Sequence, residues 1–225
     1  NAQSSKTILE IVFILRPMLL DKTLLDNTIF IVDDDENILN SLVVFFDLLG
    51  FKTRSFSSAV DYLKQLDDTQ GCLVCDISMP DMTGMDLLSE LNKVAHLRPT
   101  VFITGVSTVK MAVEAMKLGA ADFIEKPVST DVLLDRVMGA IDNFKPSLVA
   151  VNDYKTLTPK ECEVFDLIIK GVTNHDIAQQ LCSSISTVEK HRASVMKKMN
   201  VDSLALLITT LPKLKPLGSA LACNA

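Results

Sequence analysis

From Thr28 to Ile141 the chain repeats one unit: a short apolar run, a polar loop and a stretch with apolar residues at helical spacing. Thr28 to Val32 is the first run, β-branched and almost wholly apolar, as expected of a strand buried on both faces of a parallel sheet. Ile38, Leu42, Phe45 and Leu49 follow at helical spacing, and Gly50 stops that helix. The unit recurs as a strand over Phe51 to Ser55 with a helix over Ala59 to Leu66, then a strand over Cys72 to Cys75 with a helix from Gly84 to Val94. Thr100 to Thr104 is the fourth strand, and Val109, Ala112, Val113 and Met116 mark a helix closed by Gly119. Asp122 to Glu125 is the fifth, followed by Leu134, Val137, Met138 and Ile141. Such βα repeats predict an α/β fold: a doubly wound, five-stranded parallel sheet with right-handed crossovers.

The polar residues that follow these strands share one edge of such a sheet, where open α/β folds hold their ligands. Asp33 and Asp34 follow strand one, Asp76 ends strand three, Thr104 ends strand four and Lys126-Pro127 follows strand five. Pro80 and Gly84 punctuate the loop after Asp76. Three carboxylates brought together repel one another, and a hard divalent cation with oxygen ligands relieves that; Mg²⁺ is the expected ion. A lysine ammonium and a threonine hydroxyl aimed at the same point would receive a phosphoryl group, with Asp76 as nucleophile.

With 225 residues, 48% hydrophobic and 22% charged, the chain has room for a second folded domain. Around Asn143 to Lys155 the periodicity lapses, and residues 144–155 are read as a linker. Beyond it everything reads as helix. Thr158, Pro159 and Glu161 form an N-cap, a first-turn proline and a capping-box acid, and this helix ends at Gly171. Thr173 and Asp176 open a second helix with Ile177, Ala178 and Leu181; Ser184 caps a third with Val188, Val195 and Met199; Asp202 caps a fourth through Leu204, Leu207 and Ile208 toward Pro212. After Pro216 the chain is expected to fray. The net charge of −6 is uneven: from Lys155 onward Lys and Arg outnumber Asp and Glu by nine to six, while the rest is acidic. An acidic body with a basic end fits an appended nucleic-acid reader.

The cysteines, Cys72, Cys75, Cys162, Cys182 and Cys223, fit a reducing cytoplasm. Cys72 and Cys75 lie three apart on a strand and face opposite sides, so they are strand core and not a redox or metal pair. The run Ile8 to Leu15 is too short to span a bilayer and too poorly flanked for a signal peptide, so no membrane partner is expected. Residues 1–26 are read as an N-terminal extension, with Met18 a candidate natural start.

Ile31-Val32-Asp33-Asp34, Asp76 with Met79-Pro80-Asp81-Met82-Thr83-Gly84, Phe102-Ile103-Thr104-Gly105 and Asp122-Phe123-Ile124-Glu125-Lys126-Pro127 resemble the receiver domain of response regulators, here over residues 27–143. The resemblance implies a flavodoxin-like fold and phosphoryl transfer from a sensor histidine kinase to Asp76. It implies Mg²⁺ on Asp34, Asp76 and the Ser78 backbone carbonyl, with Asp33 acting through water. Lys126 would pair with the phosphoryl group, the Lys126-Pro127 bond would be cis, Thr104 would swing to the phosphate and Phe123 would turn inward as a switch. Met111 to Ala121 and Phe123 to Pro127 are most similar to the FixJ-type subgroup of the NarL/FixJ family. Val106 stands where that subgroup often has histidine and Ser78 where it often has arginine. Apolar Val106 would order the hydrolytic water poorly and lengthen the phosphorylated lifetime.

Leu157-Thr158-Pro159-Lys160-Glu161, Gly171-Val172-Thr173-Asn174 with Ile177-Ala178, and Thr187-Val188-Glu189-Lys190-His191-Arg192 resemble the LuxR-type helix-turn-helix, here within 156–215, leaving 216–225 as a tail. Glu189, Lys190 and Ala193 match base-contacting positions of that family. Lys190, Arg192, Lys197 and Lys198 would neutralise phosphates, and Thr187 and His191 also lie on the DNA side. Ser183 replaces the apolar residue usual before the capping serine and is expected to weaken packing of the recognition helix. The fourth helix, with Leu204, Leu207 and Ile208, would be the dimer face of this domain.

The expected function is a cytoplasmic two-component transcription regulator, not an enzyme, that forms a homodimer on phosphorylation of Asp76 and binds promoter DNA, with RNA polymerase a further partner. Two rivals make different predictions. A Mg²⁺-dependent phosphatase or phosphotransferase would turn over many times on a small phosphate ester. A constitutive DNA binder with a vestigial receiver would keep its promoter affinity in Asp76→Asn.

Overall fold

A computed structural model describes residues 25–214 except 95 and 97. The expectations for the N-terminal extension up to Leu24, for Cys223 and for the segment after Pro216 lie outside the described residues. The chain divides into two compact units, the first including Arg98–Phe144 and the second including Lys145 onward.

The first unit alternates strands and helices: β1 (Thr28–Val32), α1 (Glu36–Leu48), β2 (Lys52–Phe56), α2 (Ala59–Lys64), β3 (Gly71–Asp76), α3 (Gly84–Lys93), β4 (Thr100–Thr104), α4 (Val109–Leu118), β5 (Asp122–Glu125) and the first part of α5 (Thr130–Lys155), whose residues from Lys145 belong to the second unit. The strands form one parallel five-stranded sheet in the order β2-β1-β3-β4-β5. Strand order reverses between β1 and β3, and a crevice therefore opens at their carboxyl ends.

The apolar runs are explained by a core on each face of the sheet. Ile29, Ile31, Cys72, Val74, Val101 and Ile103 pack in one core with Phe45, Phe46, Leu133 and Val137. Phe30, Val32, Leu73, Cys75 and Phe102 pack in the other with Tyr62, Leu87, Leu91 and Ala115. The period of two sends alternate residues to opposite cores, and so Cys72 and Cys75 are separated as strand core. Local caps set the helix starts: Asp35 accepts the Asn37 N–H, Ser58 the Asp61 N–H and Thr108 the Met111 N–H. Gly119 ends α4 with φ +99°, a conformation that costs glycine little.

The second unit holds α6 (Pro159–Ile169), α7 (Asn174–Gln180), α8 (Ile185–Lys198) and α9 (Leu204–Leu214). The capping box of Thr158 and Glu161 forms as expected, and Thr173 and Ser184 cap α7 and α8. At α9 the Leu206 N–H bonds to the hydroxyl of Ser203, so that residue and not Asp202 caps the helix.

The stretch 144–155 is helical. Helix α5 continues through Pro146 to Lys155, although an interior proline removes a donor and costs about 3 kcal/mol. Ala150, Val151 and Tyr154 offset that cost by packing into the core of the second unit with Phe165, Ile168, Val188 and Val195. The core of the second unit therefore begins before residue 156. No helix among the described residues is long and apolar enough to cross a membrane.

Candidate phosphoryl site and DNA-facing helix

The carboxyl ends of β1, β3 and β5 bring a cation between two acids. Asp33 and Asp76 are buried, and the Lys126 ammonium lies 2.8 Å from Asp33 Oδ2 and 2.7 Å from Asp76 Oδ1. The other carboxylate oxygens accept backbone donors, Asp33 Oδ1 from the Asp35 N–H at 2.9 Å and Asp76 Oδ2 from the Ser78 N–H. Burial works against the Lys126 ammonium, but its hydrogen bonds to Asp33 and Asp76 and their charges outweigh it and hold its pKa above the ordinary lysine value. The ammonium thus stays charged at any physiological pH.

Thr104 is fully buried at the end of β4, and its carbonyl accepts the Lys126 N–H at 2.7 Å, so its backbone is tied to the same site. Its hydroxyl donates to the Val106 carbonyl at 3.2 Å and is not turned toward Asp76 by any bond described. Val106 itself is 64% exposed beside it. The Lys126-Pro127 bond is cis, as the resemblance implied. Phe123 is half-buried and packs on the edge of the second sheet core.

Asp34 and Ser78 are exposed. Among the described residues no three acidic, His or Cys side chains converge into a metal-holding group. The carboxylate repulsion anticipated from the sequence is relieved here by Lys126 for Asp33 and Asp76 and by solvent for Asp34. The donor set still suits a hard cation, because the atoms are all oxygen and each oxygen of Asp33 and Asp76 keeps a lone pair beyond the bond it accepts.

Two neighbours of Asp76 make contacts that the sequence did not disclose. A Cβ on Gly84 would fall 2.3 Å from the Asp76 carbonyl oxygen, so only glycine lets α3 start there. The Cys75 thiol donates to that same carbonyl at 3.0 Å. Burial, then the charges of Asp76 and Asp33, push this thiol well above its ordinary range, leaving it inert.

In the second unit α8 buries Val188 and Val195, its C-cap Met199 is buried too, and the helix exposes Glu189, Lys190, Ala193 and Lys197, the outward set expected for a groove-reading helix. Thr187 and His191 are half-buried. The turn before α8 is closed by the backbone: Cys182 takes φ +48° and the Ser183 N–H bonds to the Ala178 carbonyl at 2.8 Å, with Ser183 itself half-buried. Arg192 is half-buried and donates to Asn174 Oδ1 at 3.1 Å.

Lys198, expected to contact phosphate, has partners within its own unit. Its ammonium lies 2.6 Å from Glu161 Oε2 and 3.0 Å from the Thr156 carbonyl. Sequence spacing revealed Glu161 only as a capping-box acid; its bonds to residues far along the chain leave no local pattern.

A doubly wound sheet with a lysine-bridged pair of acids at its carboxyl edge, joined to a helix-turn-helix unit with a polar outward face, defines a response regulator. Residues 29–138 match the response regulator receiver domain, and residues 155–211 match the bacterial regulatory proteins of the luxR family. The transcriptional regulatory protein FixJ of Rhizobium meliloti is 39% identical over 191 residues, covering 81% of this chain and 94% of that protein. The tetrathionate response regulatory protein TtrR of Salmonella typhimurium is 36% identical, covering 83% and 93%. Among solved structures, the response regulator StyR is 34% identical with a TM-score of 0.50, covering 84% of this chain and 99% of its own. The structure titled FixJ-N is 42% identical with a TM-score of 0.50, covering 52% and 94%. This chain belongs to the response regulators that join a receiver to a luxR-type DNA-binding domain, close to FixJ- and TtrR-type transcriptional regulators. Its function is phosphorylation-dependent regulation of transcription.

Proposed function

We propose that Asp76 accepts a phosphoryl group from a sensor histidine kinase, and that this promotes homodimer formation and binding to promoter DNA in the cytoplasm. The observation that carries this reading is the Lys126 ammonium held between buried Asp33 and Asp76 at the sheet's ligand-binding edge. Asp76 attacks the phosphorus of a phosphohistidine; the new P–O bond forms as the P–N bond breaks, and the leaving imidazole takes up a proton. Lys126 keeps its bond to Asp33 and transfers its contact with Asp76 to a phosphoryl oxygen. Thr104 exchanges the Val106 carbonyl for the phosphoryl group, and the space it leaves admits Phe123.

Asp34, Asp76 and the Ser78 carbonyl would hold Mg²⁺, with Asp33 acting through water. When bound, the ion offsets the negative charge that develops in transfer. Glu189, Lys190 and Ala193 read base edges, while Lys190, Arg192 and Lys197 neutralise phosphates and Thr187 and His191 flank them. Leu207 is fully buried in the core of the second unit and Leu204 packs against it, so the dimer face of the DNA-binding domain on α9 falls to the exposed Ile208; two copies then meet a two-fold-symmetric site, where RNA polymerase is a further partner.

The test is intact-mass analysis of the full chain with a small phosphodonor and Mg²⁺, together with footprinting on the promoter with and without the donor. The expected result is about one phosphate per chain, none in Asp76→Asn and none with EDTA. Continuous release of phosphate over many turnovers points instead to a phosphatase. Promoter affinity unchanged in Asp76→Asn points to a constitutive binder.

A further inference from the structure

We propose that Glu161 is a positioning residue for DNA binding: it clamps the flank of α8 to the start of α6 and withholds the Lys198 ammonium from the phosphate backbone.

The bonds that define the clamp all end on one buried carboxylate. The Ser194 hydroxyl donates to Glu161 Oε1 at 2.6 Å; the Thr158 N–H at 2.7 Å and the Lys198 ammonium at 2.6 Å share Oε2. The Glu161 side chain is 7% exposed and that of Lys198 31%. Ser194 and Lys198 stand four apart on α8, on the flank beside the exposed positions 190, 193 and 197. Fixing that flank fixes the roll of the helix about its axis, and with it the directions of Lys190, Ala193 and Lys197. The bond of Lys198 to the Thr156 carbonyl at 3.0 Å ties the same ammonium to the segment before α6.

Lys198 cannot serve both anions. A phosphate contact at a wet surface returns little, whereas leaving Glu161 costs a buried carboxylate its only cationic partner among the contacts described. Its charge is neutralised inside the domain, and Lys190 and Lys197, with Arg192, carry the salt-dependent part of binding. The proposal rests on the reading of α8 as the DNA-facing helix.

The experiment measures binding of the full chain to a short duplex of mixed sequence by fluorescence anisotropy, between about 50 and 200 mM salt. Each lysine that displaces a counterion contributes about 0.9 to the slope of log K against log salt. K190M and K197M should each flatten the slope by about that amount, K198M should leave it unchanged, and E161Q, which releases Lys198, should steepen it by about 0.9. A K198M slope flattened as much as that of K197M overturns the proposal, and so does an unaltered slope in folded E161Q. If E161Q does not fold, K198M decides alone. If K190M and K197M both leave the slope unchanged, α8 does not face the phosphates, and the helix assignment and this proposal fall together.

Discussion

Replacing Glu161 by glutamine should remove a defined part of the pH dependence of the second unit's stability. Burial opposes the Glu161 carboxylate, but the bonds from Lys198, Ser194 and Thr158 prevail and bring its pKa from 4.5 to about 2. At roughly 1.4 kcal/mol per unit this amounts to at most about 3.5 kcal/mol of stability at neutral pH. The sign follows from the depressed folded-state value: the contribution is complete well above pH 4.5 and declines as pH falls toward 2. By pH 3 about 2 kcal/mol of it is gone. Tyr62 and Tyr154 are the only tyrosines of the chain, and Tyr154 sits in the core of the second unit, its ring 5.2 Å from that of Phe165. Tyrosine fluorescence in a Tyr62→Phe background therefore reports that unit alone during urea unfolding. The loss between pH 7 and pH 3 should be smaller by about 2 kcal/mol in Glu161→Gln than in its parent. Equal losses in the two proteins would refute the linkage, because the other carboxylates are common to both.

Further outcomes follow from the receiver. Gly84→Ala puts a Cβ 2.3 Å from the Asp76 carbonyl oxygen and 2.9 Å from the Phe102 ring; a backbone atom cannot yield as a side chain does, so the receiver should lose about 1–3 kcal/mol in urea unfolding, and wild-type stability would contradict that geometry. Lys126→Met leaves Asp33 and Asp76 without their shared cation; the rate of phosphoryl capture from a small phosphodonor, followed by intact mass, should fall at least about tenfold, and an unchanged rate would remove Lys126 from the mechanism. Val106→His places an imidazole beside Thr104 and should hasten loss of the phosphoryl group about severalfold; a phosphorylated half-life no shorter than that of the wild type would show that Val106 does not set the lifetime.

The strands and their order of appearance were legible because a strand buried on both faces must be apolar at nearly every position, as in Thr28–Val32 and Thr100–Thr104. Asp33, Asp76 and Lys126 were legible for a related reason, since topology alone fixes which loops meet at the carboxyl edge. What the sequence concealed is the partner of each charge. Spacing cannot say that Lys126 bridges Asp33 and Asp76 while Asp34 faces solvent, because neighbours along the loop after β1 differ only in side-chain direction. Pro146 concealed the helix over 144–155 by a different route: its local penalty is visible in the chain, whereas the burial of Ala150, Val151 and Tyr154 that offsets it depends on α6 and α8. Lys198 and Glu161 combine both effects. A capping box announces Glu161, a basic helix end announces Lys198, and local rules assign the first to a helix start and the second to DNA. Only the packing of α8 against α6 makes them one pair, the acid buried and the ammonium partly so. A cation on a groove-facing helix is therefore available to phosphate only where no buried acid already holds it, and among the lysines of α8 that condition selects Lys190 and Lys197.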